Sequence, residues 1–181
     1  MKKSLQAKII SHIQETWIDY PDNNSVALIV YFVGCTHECK GCQNPQFQDS
    51  ILVDDWITME PKQLLDILKK RSELLNGTNT LVFSGGDPLH PDNAEFVKEF
   101  LEINDYFDIC IYTGHQVKYV KKNIKLKGFK YLKCGKYEKQ LKQTPNKTDK
   151  YMVFASKNQQ LFNKKYRLLS CNGIYYFGGN S

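Results

Sequence analysis

Three of the six cysteines in this 181-residue chain lie within one short segment. They are Cys35, Cys39 and Cys42, in the spacing C-x3-C-x2-C. Random placement of six cysteines over a chain of this length gives roughly 0.007 such triplets, so the spacing needs a chemical cause. Cysteine is the usual ligand of iron–sulfur clusters, and three thiolates on one loop can hold three corners of a [4Fe–4S] cube. One iron then keeps an open coordination position, where a small molecule can bind.

Two other uses of these cysteines stay open on spacing alone. A closed zinc site needs four ligands, and His37 is the nearby side chain that can complete one, although the loop would have to fold back sharply. Such a zinc module would bind nucleic acid through its lysines. A disulfide framework needs an oxidising compartment, and the first five residues do not continue into an apolar signal region. The three-ligand cluster is therefore the favoured interpretation.

The residues around the cysteines resemble one protein family. The spacing itself is similar to the signature of the radical S-adenosylmethionine (SAM) superfamily, whose open iron is chelated by SAM. The run GCTHECKGCQNP over 34–45 resembles the pattern G-C-x-H-x-C-x-G-C-x-N of the proteins that activate anaerobic, class III ribonucleotide reductase. Many other superfamily members carry an aromatic residue where this chain has Gly41. The resemblance implies that Gly41 and Gln43 border the bound cofactor.

A second motif follows the apolar run 80–83 and consists of Ser84, Gly85, Gly86 and Asp87. Glycines at a strand end let the backbone approach a ligand closely, and a carboxylate can accept from a cation. Alone, such a turn is a weak signal. The segment resembles the superfamily's glycine-rich motif that holds the SAM amino group, which implies that all four residues contact SAM. The role of the nearby His90 stays open.

Two later segments extend the resemblance to about residue 160. Thr113 ends a Tyr-Thr-Gly run that is similar to a strand end bordering the SAM pocket in the activating proteins, so it is a further expected contact. The stretch 156–160 resembles their S-x-N-Q-R sequence, with Gln160 in place of the arginine. That difference weakens any cationic role at this position.

The elements that must position these residues alternate between apolar strand-like runs and amphipathic helical stretches, which is typical of an α/β fold with a mostly parallel sheet. The cysteine loop then emerges at the carboxyl end of a strand, where such sheets place their ligands. Five to six strand–helix units fall short of a closed barrel of about 250 residues. We therefore expect a partial (βα) barrel of the radical SAM type. The predicted strands are 7–13 at an edge, 26–33, 80–83, 107–112, 131–137 and 151–156. The predicted helices are 61–75, 92–104 (capped by Asp92) and 116–125. A final hairpin is predicted to turn at Asn172-Gly173.

Length and composition suit one domain over residues 1–181, since 41% of the residues are hydrophobic. The longest apolar run is too short to span a bilayer, and the absence of a leader predicts the cytoplasm. The net charge of +6 comes with widely spread lysines, so we expect neither a nucleic-acid nor a membrane partner. The four lysines of 116–125, with Tyr119, either receive an acidic partner or form a solvated face.

The resemblance implies an enzyme that uses a [4Fe–4S] cluster to cleave SAM and to generate a glycyl radical on anaerobic ribonucleotide reductase. The expected cofactors are the cluster and SAM, and the expected partners are the reductase and a reduced flavodoxin- or ferredoxin-like electron donor. Hydrogen-atom transfer needs no general base, which fits the lack of a clear acid/base pair in the sequence. The alternative is another radical SAM enzyme, such as a pyruvate formate-lyase activase or a small-molecule synthase.

Overall fold

Four parallel strands form the centre of the structure, a computed structural model that describes residues 5–22, 26–49 and 55–178. The strands are β1 (Ala7–Ile10), β2 (Gln14–Thr16), β3 (Ala27–Phe32), β4 (Trp56–Met59), β5 (Thr80–Gly85), β6 (Asp108–Thr113), β7 (Tyr131–Cys134), β8 (Asn146–Lys147), β9 (Tyr151–Val153), β10 (Gln160–Asn163) and β11 (Ile174–Tyr176). The helices are α1 (Pro61–Leu74), α2 (Ala94–Ile103) and α3 (Val117–Tyr119), which a π-helical turn over Val120–Ile124 continues. Short 3-10 turns cover Pro45–Gln48 and Lys139–Leu141.

The main sheet has the strand order β10-β7-β6-β5-β3-β1-β4, with β2 paired to β3. Strands β3, β5, β6 and β7 are parallel neighbours, in a register that places Val30 beside Phe83 and Phe83 beside Ile111. Antiparallel strands extend the sheet on both sides. The predicted α/β class with a mostly parallel centre is confirmed, with four parallel strands in place of five to six. The partial barrel stays a prediction.

Two predicted strands occupy other places than expected. Strand β1 is internal, because it pairs with both β3 and β4. The predicted strand 151–156, which the structure forms as β9, lies in a separate three-stranded sheet with β8 and β11. The segment between β7 and β9 contains only the short 3-10 turn as helix, whereas a parallel neighbour needs a long crossover, usually a helix. The strand that joins β7 is instead the antiparallel β10.

The predicted turn at 172–173 and the predicted start of α1 are found, whereas the predicted cap of α2 is not. Asn172 and Gly173 both have positive φ values, 48° and 70°, as the predicted two-residue turn requires, although β11 then pairs with β9. Helix α1 begins at Pro61 with a capping box, but Asp92 does not cap α2. The residue before α2 is the buried Asn93, whose side-chain amide donates to the carbonyls of Val33 (3.0 Å) and Asp87 (3.1 Å).

Both faces of the main sheet are buried, as expected for a parallel centre. Helices α1 and α2 cover one face, where Phe83 packs edge-on against Phe32 (5.1 Å between ring centroids) and Phe100 (5.0 Å). The opposite face packs Ile29 and Cys110 against the small sheet. Cys110 and Cys134 are buried free thiols in this core. No helix in the described ranges has the length and apolar character needed to cross a bilayer.

Candidate iron–sulfur site

The loop with the three cysteines leaves the carboxyl end of β3 and folds back on itself. The amide of Gly34 donates to the Phe47 carbonyl (2.9 Å), and the amide of Cys35 donates to the Gln48 carbonyl (3.0 Å). Inside this closed loop, the amide of Cys42 donates to the carbonyl of Cys39 (3.1 Å). The loop is thus a compact unit at the strand end, where the sequence predicted it.

Further loop residues shape the surroundings of the thiols. Glu38 and Gly41 have left-handed backbone conformations, with φ of 51° and 77°, which tighten the turns between the cysteines. The backbone amide of Asn44 donates to the Sγ of Cys42 at 3.4 Å. Amide hydrogen bonds to ligand sulfurs are one of the means by which proteins tune iron–sulfur clusters. The loop therefore provides both ligands and a donor to one of them.

Cys35, Cys39 and Cys42 all line one cavity of about 400 Å³. All three are free thiols in the structure. Burial, with smaller contributions from Asp87 and the other two cysteines, raises the pKa of the Cys35 thiol to about 11, although a backbone hydrogen bond from His37 acts to lower it. Burial also raises the pKa of Cys39. Because a metal ligand must be a thiolate, loading this site releases protons. Three thiols facing one cavity fit a three-cysteine cluster.

The cavity continues from the thiols along the ends of β5 and β6. Of the predicted cofactor contacts, the residues Gln43, Ser84, Gly85, Gly86 and Thr113 line it. Its size falls in the range of small-molecule sites, which span roughly 300–1,000 Å³. The structure therefore brings most of the predicted site residues together around one space.

Gly85 and Gly86 are required by the protein's own backbone. A Cβ on Gly85 would lie 2.4 Å from the Phe32 carbonyl oxygen, and Gly85 also has a φ of 112°. A Cβ on Gly86 would lie 2.4 Å from the Phe47 oxygen and 2.5 Å from the Gly34 oxygen. The glycine motif thus lets β5 approach β3 and the cysteine loop, a packing reason that the sequence analysis did not foresee.

Asp87 and Gly41 are the two predicted contacts outside the cavity lining. Asp87 is 1% exposed, and its Oδ2 accepts from His37 Nε2 (2.5 Å), Thr113 Oγ1 (2.9 Å) and the Gly114 amide (3.1 Å). Its Oδ1 accepts from the Leu89 amide (2.8 Å). Gly41 lies at the exposed side of the loop. The carboxylate of Asp87 is therefore saturated by internal donors, and a contact from it to SAM stays a prediction.

His37 points towards the sheet. Its ring packs on Gly114, where an added Cβ would lie 2.2 Å from His37 Cδ2, and it stands edge-on to His115 at 4.6 Å. Burial lowers the pKa of His115, which favours its neutral form. The ligand atoms of His37, Asp87 and His115 lie within 4.8 Å of one another. Asp87 accepts from Nε2 of His37, so only Nδ1 of this ring is left to bind a metal.

Sequence reasoning missed two charged residues in the cavity wall. The Nζ of Lys133 lies 4.1 Å from the ring centroid of Tyr112, and burial lowers the pKa of Lys133 to about 8. Asp19 lies in the same wall, where its carbonyl accepts the Tyr112 hydroxyl at 2.5 Å. The sequence signal that could have found Lys133 is its place as a charged residue inside the otherwise apolar strand β7. The cavity wall therefore contains a lysine and an aspartate, and Oδ2 of this aspartate already accepts from Thr16 Oγ1 at 2.5 Å.

Comparison with known proteins places the chain in a family. A family model described as a 4Fe-4S single cluster domain matches residues 24–162. The chain belongs to this family. This match confirms the resemblance on which the expected cluster rests.

Curated relatives agree with the family. A protein of Haemophilus influenzae is 34% identical over 116 residues, which cover 60% of this chain and 70% of the relative. A protein of Enterobacteria phage T4 is 28% identical over 127 residues, covering 68% and 78%. Both are named anaerobic ribonucleoside-triphosphate reductase-activating protein. Among solved structures, QueE from Escherichia coli matches with a TM-score of 0.43 and 16% identity, over 60% of this chain and 53% of that chain.

Proposed function

We propose that this protein activates an anaerobic ribonucleotide reductase. In this proposal Cys35, Cys39 and Cys42 hold a [4Fe–4S] cluster, SAM occupies the adjoining cavity, and the target is a glycine Cα–H bond of the reductase. The observation that carries the proposal is that the three thiols and the glycine-rich end of β5 line one cavity. The names of the relatives support the reductase as the partner.

When bound, the cluster supplies the one electron that cleaves SAM to methionine and a 5′-deoxyadenosyl radical. The chain's own residues bind and orient the reactants. Lys133 and Asp19 place opposite charges in the cavity wall, which suits the carboxylate and ammonium groups of an amino acid. Backbone groups at Ser84, Gly85 and Gly86 provide polar edges for the rest of the ligand.

The proposal also covers the cellular location, the extent of the domain, the electron donor and the residues next to SAM. We place the activity in the cytoplasm, where cysteine thiols stay reduced, and in a single domain over 1–181. The electron comes from a reduced flavodoxin- or ferredoxin-like protein. Gln43, Thr113, Gly41 and Asp87 remain proposed SAM neighbours, with Asp87 acting through the groups it holds.

The experiment is anaerobic reconstitution followed by incubation with dithionite, SAM and the reductase. We expect 5′-deoxyadenosine by chromatography and a glycyl-radical signal by electron paramagnetic resonance. The Cys39→Ala variant should lose both, whereas Cys171→Ala, which changes an exposed cysteine outside the loop, should keep both. Formation of 5′-deoxyadenosine without the radical would contradict the reductase as target. Retention of both products by Cys39→Ala would contradict the cluster assignment.

A further inference from the structure

The segment 109–137 has an unusual charge distribution. It contains eight lysines and no acidic residue, while the whole chain has a net charge of only +6. The rest of the protein is therefore slightly acidic, and the positive charge is concentrated on the part that includes α3. A surface with charge of one sign raises the rate at which an oppositely charged partner finds it.

Five of these lysines are exposed on α3 and the turns that follow. We name them the lysine surface, and they are Lys118, Lys121, Lys122, Lys125 and Lys127. Within the part of the chain that the structure describes, none of the five forms an ion pair; the lysine and arginine ion pairs found there involve other residues. Their charge is thus available to a carboxylate-rich partner.

Three aromatic rings join this lysine surface to the cysteine loop. The exposed ring of Tyr119, on α3, stacks on His115 with 4.5 Å between centroids and an interplanar angle of 18°. His115 stands edge-on to His37 at 4.6 Å, and His37 lies between the first two cysteines of the loop. A protein bound at the lysine surface is therefore separated from the loop by a short series of rings in contact.

The lysine surface lies apart from the cavity. His37 is part of the cavity lining, but His115 and Tyr119 are not. A partner on α3 consequently leaves the cavity free for SAM and for the segment of a protein substrate. A donor bound at the lysine surface leaves the cavity open, whereas the substrate has to reach the cavity itself. The separation therefore suits a donor better than the substrate.

We propose that the lysine surface is the docking site of an acidic one-electron carrier, a reduced flavin or iron–sulfur protein. This inference rests on the proposed function. The carrier is oxidised by one electron and the bound cluster is reduced by one, with Tyr119, His115 and His37 forming the contact region between them. Carboxylates of the carrier pair with the lysines, so the association weakens as salt screens these charges.

The test compares two triple variants of the reconstituted protein. The docking variant carries Lys118→Glu, Lys121→Glu and Lys122→Glu. The control variant carries Lys62→Glu, Lys70→Glu and Lys164→Glu, which make the same change of net charge at exposed lysines outside α3. Bleaching of the cluster absorbance is followed by stopped flow after mixing with an acidic flavodoxin in its hydroquinone state, and separately after mixing with dithionite. Carbodiimide coupling of flavodoxin carboxylates to lysines is mapped by mass spectrometry.

We expect the docking variant to be bleached by flavodoxin on the order of tenfold more slowly at low salt, with the control variant close to wild type. Cross-links should form at Lys118, Lys121 or Lys122. Dithionite should bleach all three proteins alike and support SAM cleavage in all three, which separates this inference from the proposed function. Equal flavodoxin rates in the two triple variants would overturn it. So would cross-links to these lysines from the reductase in place of the flavodoxin.

Discussion

The imidazole of His37 donates from Nε2 to the carboxylate of Asp87 at 2.5 Å, although 50 residues separate them in the chain. His37 belongs to the cysteine loop and Asp87 follows β5. The same oxygen of Asp87 also accepts from Thr113 at the end of β6 and from the Gly114 amide. One buried carboxylate thus ties the loop that bears the three thiols to two neighbouring strand ends.

Replacing Asp87 by asparagine should weaken this tie. An amide group offers one oxygen and one NH₂, so at least one of the four present donors would face another donor. An unpaired buried donor costs about 1–3 kcal/mol, and we expect a loss of that size in the free energy of unfolding, measured with urea on the metal-free protein. Asp66→Asn, at an exposed position on α1, is the matched control and should be neutral. Equal stability of the Asp87→Asn variant and wild type would contradict the role assigned to this carboxylate.

Replacing Gly86 by alanine should disturb the meeting of β5 with the cysteine loop. The new Cβ would lie 2.4 and 2.5 Å from two backbone carbonyl oxygens, which cannot move as a flexible side chain can. We expect a loss of roughly 3 kcal/mol in stability, at the upper end of overpacking costs. Gly178→Ala, with nothing within 4 Å of the added atom, should cost only the 1–2 kcal/mol of a left-handed alanine. Thermal unfolding of both variants measures the two losses of stability. A loss for Gly86→Ala no larger than that for Gly178→Ala would show that backbone crowding at Gly86 is unimportant.

The site could be predicted from sequence where its chemistry lies in local spacing. The three cysteines and the segment Ser84–Gly86 were found this way, because each set sits on one short loop that follows an apolar strand. The bond between His37 and Asp87 could not be found, since it depends on which strand ends become neighbours in the sheet. The packing reason for Gly86 was missed for the same cause.

Some parts of the fold could likewise be predicted from the sequence and others could not. The central strands were predicted because they are continuous apolar runs, which parallel strands buried on both faces require. The placement of β9 was not predicted correctly, because an apolar run shows that a strand exists but not which partner it pairs with. The predicted cap of α2 at Asp92 was wrong. The residue before the helix is Asn93, and its side chain makes no capping bond because it donates to the backbone of Val33 and Asp87.

Lys133 gives a prediction that depends on pH. Burial lowers its pKa from 10.5 to about 8, so its charge disfavours the folded state at neutral pH. This penalty is complete below about pH 8 and disappears as the pH rises towards the unfolded value near 10.5. Lys133→Met should therefore stabilise the metal-free protein by on the order of 1–2 kcal/mol at pH 7, with a smaller gain at pH 10.

Urea unfolding of wild type and Lys133→Met at the two pH values measures this difference. Lys62→Met changes an exposed lysine on α1 and should show no such dependence on pH. A gain for Lys133→Met that is as large at pH 10 as at pH 7 would mean that the effect comes from packing and not from the buried charge.

The central claim is that three thiols on one loop hold an iron–sulfur cluster. The most direct measurement is the iron and acid-labile sulfide content of anaerobically reconstituted protein, for wild type, the single alanine variants of Cys35, Cys39 and Cys42, and Cys171→Ala. We predict about four iron and four sulfide per chain in wild type and Cys171→Ala, with a large loss in each of the three loop variants. Full iron and sulfide in a loop variant, or zinc in place of iron in wild type, would contradict the account.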